Sequence, residues 1–197
     1  IMSRINAVTE EVTSNMEKFE LGIAALKLYD FIWTEFCDWY IELTKIRLYS
    51  DDMTQRKTAL YTLVTTLTKA LKLLHPFMPF ITEEIYQKLP HKAKSIMIDA
   101  YPAYSEALCF AKDEANMQRL IDAIKAIRNR RAERNVPAGK RTHLYLVSEA
   151  NEAFNESTAF FFEKLAYASS VSFTSSEEDT GSCSQIISAY RASITPN

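Results

Sequence analysis

The pair of residues best placed to meet a ligand by type and position is Ile41–Glu42, an apolar branched side chain beside a carboxylate in the run FCDWYIELTK. With Phe36 at the centre of a buried helical stripe, 100° per residue carries both well round the cylinder, Ile41 among Thr34, Asp38 and Lys45. One reading is a surface where an exposed apolar group and a carboxylate meet a ligand together; the plainer one is that a neighbouring helix covers Ile41. A second concentration of chemistry is basic. Arg119, Lys125, Arg128, Arg130, Arg131, Arg134, Lys140 and Arg141 face only Asp122 and Glu133. Such a density of positive charge is what phosphate-backbone binding needs, and it also suits a solvated helix C-terminus.

Other constellations fail on spacing. Glu83 and Glu84 are adjacent carboxylates, but at i and i+1 they point about 100° apart on a helix and cannot easily share a proton. Gly139-Lys140 resembles the end of a phosphate loop, yet Arg134 stands where its first glycine belongs and Arg141 follows the lysine. Three glycines are too few and too scattered for a dinucleotide turn. Cys37, Cys109 and Cys183 form no CxxC pair and read as free thiols of a reducing cytoplasm, and the three histidines are as dispersed, so no metal site is expected. The net charge of −2 restricts any nucleic-acid footprint to a local patch. No run of 18 apolar residues and no signal peptide occur, which points to a cytoplasmic protein with no membrane partner.

The elements that must position these residues are mostly helical. Phe19–Ser50 lacks proline, and Leu21, Ala25, Leu28, Ile32, Phe36, Trp39, Leu43 and Ile46 recur at steps of three or four, predicting one long spine helix. A helix over 2–16 precedes it and starts without a cap, as expected of a segment cut from a larger protein. Asp51 or Asp52 caps a helix over 54–74 with a stripe of Leu60, Leu63, Val64, Leu67, Ala70, Leu71 and Leu74, ended by His75-Pro76. Pro79 opens the next helix, with Glu83 and Glu84 early in it; residues 95–98 read as a short extended piece, and 113–134 as the basic helix. After Pro137 the pattern turns to α/β, with strands at 143–147 and 170–174 around a helix at 149–166, then an acidic, Ser/Thr-rich loop and an unfinished sheet whose remaining strands lie beyond Asn197 or are poorly ordered. The expected fold is mainly α: an antiparallel helical bundle over 1–140 with a small, partial α/β appendage over 141–197.

Three segments together resemble the anticodon-binding region of valyl-tRNA synthetases: FELGIAALKLYDFIWTEFCDWYIELTKIRL (19–48), LLHPFMPFITEEIYQKLP (73–90) and AIRNRRAERNVPAGK (126–140). The middle block is shared with isoleucyl, leucyl and related class I synthetases, whereas FCDWYIE paired with the arginine motif points to the valyl family. The resemblance implies a module that grips the anticodon arm of valine tRNA, packs on the catalytic domain of the same chain and acts as a monomer. It also implies that ATP and Mg²⁺ serve the parent enzyme while this fragment binds no cofactor, since the HIGH and KMSKS motifs are absent. The family positions that touch anticodon bases correspond to Ile41 and Glu42. A carboxylate accepts from an exocyclic amino group, and an apolar side chain packs on an unstacked base. Lys45, Arg128, Arg131 and Lys140 are candidate contacts to the tRNA backbone. Ile46 stands where the family usually has proline, so the spine is expected to run straighter. Two alternatives stay open: the same module of an isoleucyl or other related synthetase, and a helical protein-interaction scaffold with no RNA role.

Overall fold

The computed structural model describes residues 1–137, 139–147, 154–174, 186–187 and 192–194. The chain forms two compact units, Ile1–Ala111 and Lys112–Asn197. This division falls ahead of the basic helix, where the sequence pattern placed a boundary at 140. The bonds described below from Arg128 and Arg131 to the α/β part explain why the helix groups with it.

The first unit is a helical bundle. Its elements are α1 (Met2–Glu17), a spine of α2 (Leu21–Asp30), a π-helical stretch (Phe31–Tyr40) and α3 (Ile41–Leu48), then α4 (Met53–Leu74) and α5 (Pro79–Tyr86). Ile5, Val8 and Val12 of α1 meet Ala24 and Leu28 of α2, Phe31 and Phe36, and Ala70 and Leu73 of α4 in one core. Fully burying a side chain of this size stabilises the fold by about 1.5–3 kcal/mol.

The helix ends follow local chemistry. Asp52 caps α4 by accepting from the backbone of Thr54 and Gln55, and Pro79 occupies the first turn of α5. After α1 the chain closes with Phe19 N–H donating to Met16 O at 3.0 Å and Glu20 N–H to Asn15 O at 2.8 Å. That pattern places Phe19 in the left-handed region, φ 61°.

The spine departs from a uniform helix. Its buried positions run Ala24, Leu28, Phe31, Phe36, and then Leu43 with Thr44. The step of five from Phe31 to Phe36 is the signature of i→i+5 bonding, and the two rings stack at 6.5 Å. Leu21, expected in the stripe, is 50% exposed. The buried face of α4 is also shifted: Ala59, Thr66, Ala70, Leu71 and Leu73 face inward while Leu60 lies outside. Small residues at 59, 66 and 70 let α4 approach its neighbours closely. Residues 96–98 form a 3₁₀ turn rather than an extended piece, capped by the Ser95 hydroxyl.

The second unit contains α6 (Ala111–Glu133, of which Lys112 onward belongs here), α7 (Glu156–Leu165) and strands β1 (Thr142–Val147), β2 (Ala168–Thr174), β3 (Ile186–Ile187) and β4 (Ala192–Ile194). The strand order is β2-β1-β4-β3. β1 and β2 are parallel, as a crossover through α7 requires, and β4 pairs antiparallel with both β1 and β3. The sheet that the sequence pattern left unfinished is thus extended by β3 and β4 within the chain. Leu144 and Leu146 are buried and alternate with half-buried His143 and Tyr145, the period-2 pattern of a strand with one covered face. Residues 149–153 of the expected helix and the acidic stretch 177–179 lie outside the described residues, as does Cys183.

Candidate nucleic-acid interface

α3 is set in phase by the π-helical stretch before it. Ile41 donates its backbone N–H to the Phe36 carbonyl, an i→i−5 bond. A turn of five residues brings Ile41 back toward the face that Phe36 occupies, so Ile41 is half-buried and packs on the main core. The uniform 100° rotation had placed it far from that face; the plainer reading, cover by the bundle, holds for part of its side chain. One turn on, Leu43 and Thr44 are buried, and the Thr44 hydroxyl donates back to Tyr40 O at 2.7 Å. Tyr40 is itself half-buried, and burial pushes its hydroxyl above the ordinary value.

Glu42 and Lys45 lie on the outer side of this helix and pair with each other. Their side chains remain 44% and 49% exposed, so the pair is worth only about 0.3–0.5 kcal/mol and a ligand can reopen it at little cost. Once the pair opens, the carboxylate can accept a hydrogen bond and the ammonium can meet an anion.

The basic helix resolves into two kinds of arginine. Arg131 is 4% exposed. Its guanidinium donates to Thr142 Oγ1 at 2.9 Å, to Pro137 O at 3.3 Å and to Lys140 O, and it lies 5.9 Å from the centre of the Tyr167 ring. It latches α6 to the turn leading into β1 and is not available to a tRNA phosphate, a correction to its candidacy. The cause is the turn itself: Asn135 at φ 52° sends the chain back across the last turn of α6, with Val136 N–H bonded to Arg131 O at 2.9 Å. Arg128 donates from Nε to Leu165 O at 2.6 Å but is exposed as a residue. Lys140 is exposed, and its carbonyl accepts from the Arg131 guanidinium. Arg119, Lys125 and Arg134 are also exposed, whereas Arg130 pairs with Glu133.

The adjacent carboxylates of α5 have structural partners within the first unit. Glu83 and Glu84 fall in the second turn of α5. Glu83 accepts from Ser95 Oγ at 2.8 Å and Ile96 N–H at 3.0 Å, and Glu84 pairs with Lys88. Sequence reasoning missed a triad built on this loop. Tyr86, 1% exposed, donates its hydroxyl to Asp99 at 2.6 Å, and Lys72 meets the same oxygen at 2.7 Å. The hydrogen bond from Lys72 holds the Asp99 carboxyl down to about 2, while burial and the Asp99 contact push Tyr86 up to about 12. Nothing in the spacing of residues 72, 86 and 99 announces it, because an irregular loop brings Asp99 back.

Among the described residues no cluster of His, Cys, Asp and Glu could hold a metal ion, Cys37 and Cys109 are free thiols, and no helix is long and apolar enough to cross a membrane.

A family model described as the anticodon-binding domain of tRNA ligase matches residues 1–146. The valine–tRNA ligase of Clostridium acetobutylicum is 52% identical over 180 residues, covering 91% of this chain and 20% of that protein. That of Clostridium perfringens is 49% identical over 181 residues, with 91% and 20% covered. That of Bacillus cereus is 46% identical over 146 residues, with 74% and 17% covered. The chain thus spans about a fifth of the length of these curated relatives. Matched from its first helix through β1, and built as a helical bundle with an exposed carboxylate on its spine, the chain belongs to the family of anticodon-binding domains of tRNA ligases.

Proposed function

We propose that this chain is the anticodon-arm recognition module of a valine–tRNA ligase, and that Glu42 reads an anticodon base. The observation that carries the reading is the outward-facing Glu42–Lys45 pair on α3, whose opposite side is buried through Leu43 and Thr44. Base-edge contacts specify while phosphate contacts position, and this pair supplies one group for each. Half-buried Ile41 lends the part of its side chain left outside the core to packing on an unstacked base. Arg128 and Lys140 supply backbone contacts from the second unit. The names of the relatives support valine over isoleucine as the cognate amino acid.

In this reading the parent enzyme attaches valine to its tRNA with ATP and Mg²⁺, and its catalytic domain is the partner on the same polypeptide. The module itself binds neither nucleotide nor metal, is a monomer and works in the cytoplasm. Fluorescence anisotropy of labelled valine tRNA, beside a tRNA altered only at the middle anticodon base, tests it. Tighter binding of the unaltered tRNA, with the difference lost in Glu42→Gln, supports base readout by Glu42. Equal binding of both tRNAs by the unmodified chain overturns it.

A further inference from the structure

The outer face of α3 continues beyond Lys45. Glu42, Lys45 and Tyr49 follow at steps of three and four, which at 100° per residue keeps them within about 60° of one another. Leu43 and Thr44 occupy the opposite, buried side. Tyr49 stays in line because its N–H donates to Lys45 O at 3.0 Å, carrying the helical turn one residue past Leu48. Its side chain is 84% exposed, and among the described residues its ring has no aromatic neighbour and its hydroxyl no hydrogen-bond partner. Lys45, exposed, stands one turn before it on the same face, while the nearby Asp52 carboxylate is turned into the cap of α4. From Glu42 to Tyr49 the axis advances by about 10 Å, the rise of roughly three stacked nucleotides.

A planar, solvent-facing ring one turn beyond an ammonium, at the end of a line that also carries a hydrogen-bond acceptor, fits an unpaired nucleotide. Single-stranded nucleic acid is held by aromatic faces that stack on bases and by positive charge that follows the backbone. Resting on the function proposed above, we infer that Tyr49 is a base-stacking platform for an unpaired nucleotide of the anticodon loop, the third point of an RNA-reading line with Glu42 and Lys45.

The test uses the full 197-residue chain and a stem-loop RNA carrying the valine anticodon, with 2-aminopurine placed in turn at each loop position. Quenching of that base on binding reports stacking, which a merely structural tyrosine would not produce. The unmodified chain and Tyr49→Phe quench one position and bind within about twofold of each other, whereas Tyr49→Leu loses the quench and binds roughly tenfold more weakly. The high exposure of Tyr49 leaves the circular dichroism and unfolding midpoint of both variants unchanged. If Tyr49→Leu binds and quenches as the unmodified chain does while Glu42→Gln still loses anticodon discrimination, the platform is overturned and the function stands. If no loop RNA binds at all, both are overturned.

Discussion

The backbone N–H of Ile41 is bonded to the carbonyl of Phe36, five residues earlier. That bond sets the division of labour on α3: Ile41 is drawn onto the core and Glu42 is left outside. Contribution to the core and exposure to solvent therefore differ sharply between adjacent positions. Ile41→Ala is expected to cost about 1–2 kcal/mol, less than the 2–5 kcal/mol of a fully buried site, because part of its side chain is already in water. Glu42→Gln is expected to stay within about 0.5 kcal/mol. Urea unfolding followed by far-ultraviolet circular dichroism measures both, and equal losses would show that the two side chains are not partitioned as described.

Arg131 and Arg128 are three residues apart on α6 and are expected to behave differently. Arg131→Gln removes a buried fork and leaves Thr142 and two carbonyls short of a donor, which should cost roughly 2–4 kcal/mol. The salt dependence of RNA binding should not change. Arg128→Gln should flatten that dependence by roughly 0.7–0.9 in slope if it meets one phosphate. Salt titrations beside thermal unfolding distinguish the two, and a changed slope for folded Arg131→Gln would return that residue to the RNA.

The Asp99 carboxyl is held at about 2 by Lys72 and Tyr86, below its ordinary value. A depressed carboxylate contributes stability that is complete above its unfolded pKa, near 4, and is lost as pH falls toward 2. Asp99→Asn should therefore be less stable than the unmodified chain at pH 7, with the gap narrowing between about pH 4 and 2. Unfolding midpoints across that window check the sign; a gap that widens in acid would contradict it.

Phe19 adopts φ 61° and is 88% exposed, so its side chain gains little from burial while its backbone sits where a Cβ is disfavoured. Phe19→Gly should stabilise the bundle by about 1 kcal/mol. That corresponds to a rise of roughly 2–4 °C in Tm for a protein of this size. Calorimetry reads the change directly, and a fall would mean that the ring contributes more than its exposure indicates.

Much of the bundle is legible from local chemistry. Asp52 as a cap, Pro79 at a first turn and His75-Pro76 as a stop each act within a few residues, and each appears where its chemistry placed it. The strands expected at 143–147 and 170–174 are likewise present, within β1 at 142–147 and β2 at 168–174. Glu42 and Lys45 remain on the outside because a pair of charges three residues apart needs only one helix to define it.

Other features depend on residues distant in sequence or on backbone phase. The π-helical stretch turned Ile41 toward the core, because the number of residues per turn is settled by how Phe31, Phe36 and Tyr40 stack inside the bundle and not by their hydrophobicity. Arg131 reads like its basic neighbours until the turn at Asn135 folds Pro137 and Lys140 over it. Asp99 becomes a partner of Lys72 and Tyr86 only once an irregular loop closes on α4 and α5. Composition and spacing determined which segments are helices and which residues carry charge. The tertiary structure decided which charges water can reach, because burial depends on what the rest of the chain lays over a side chain.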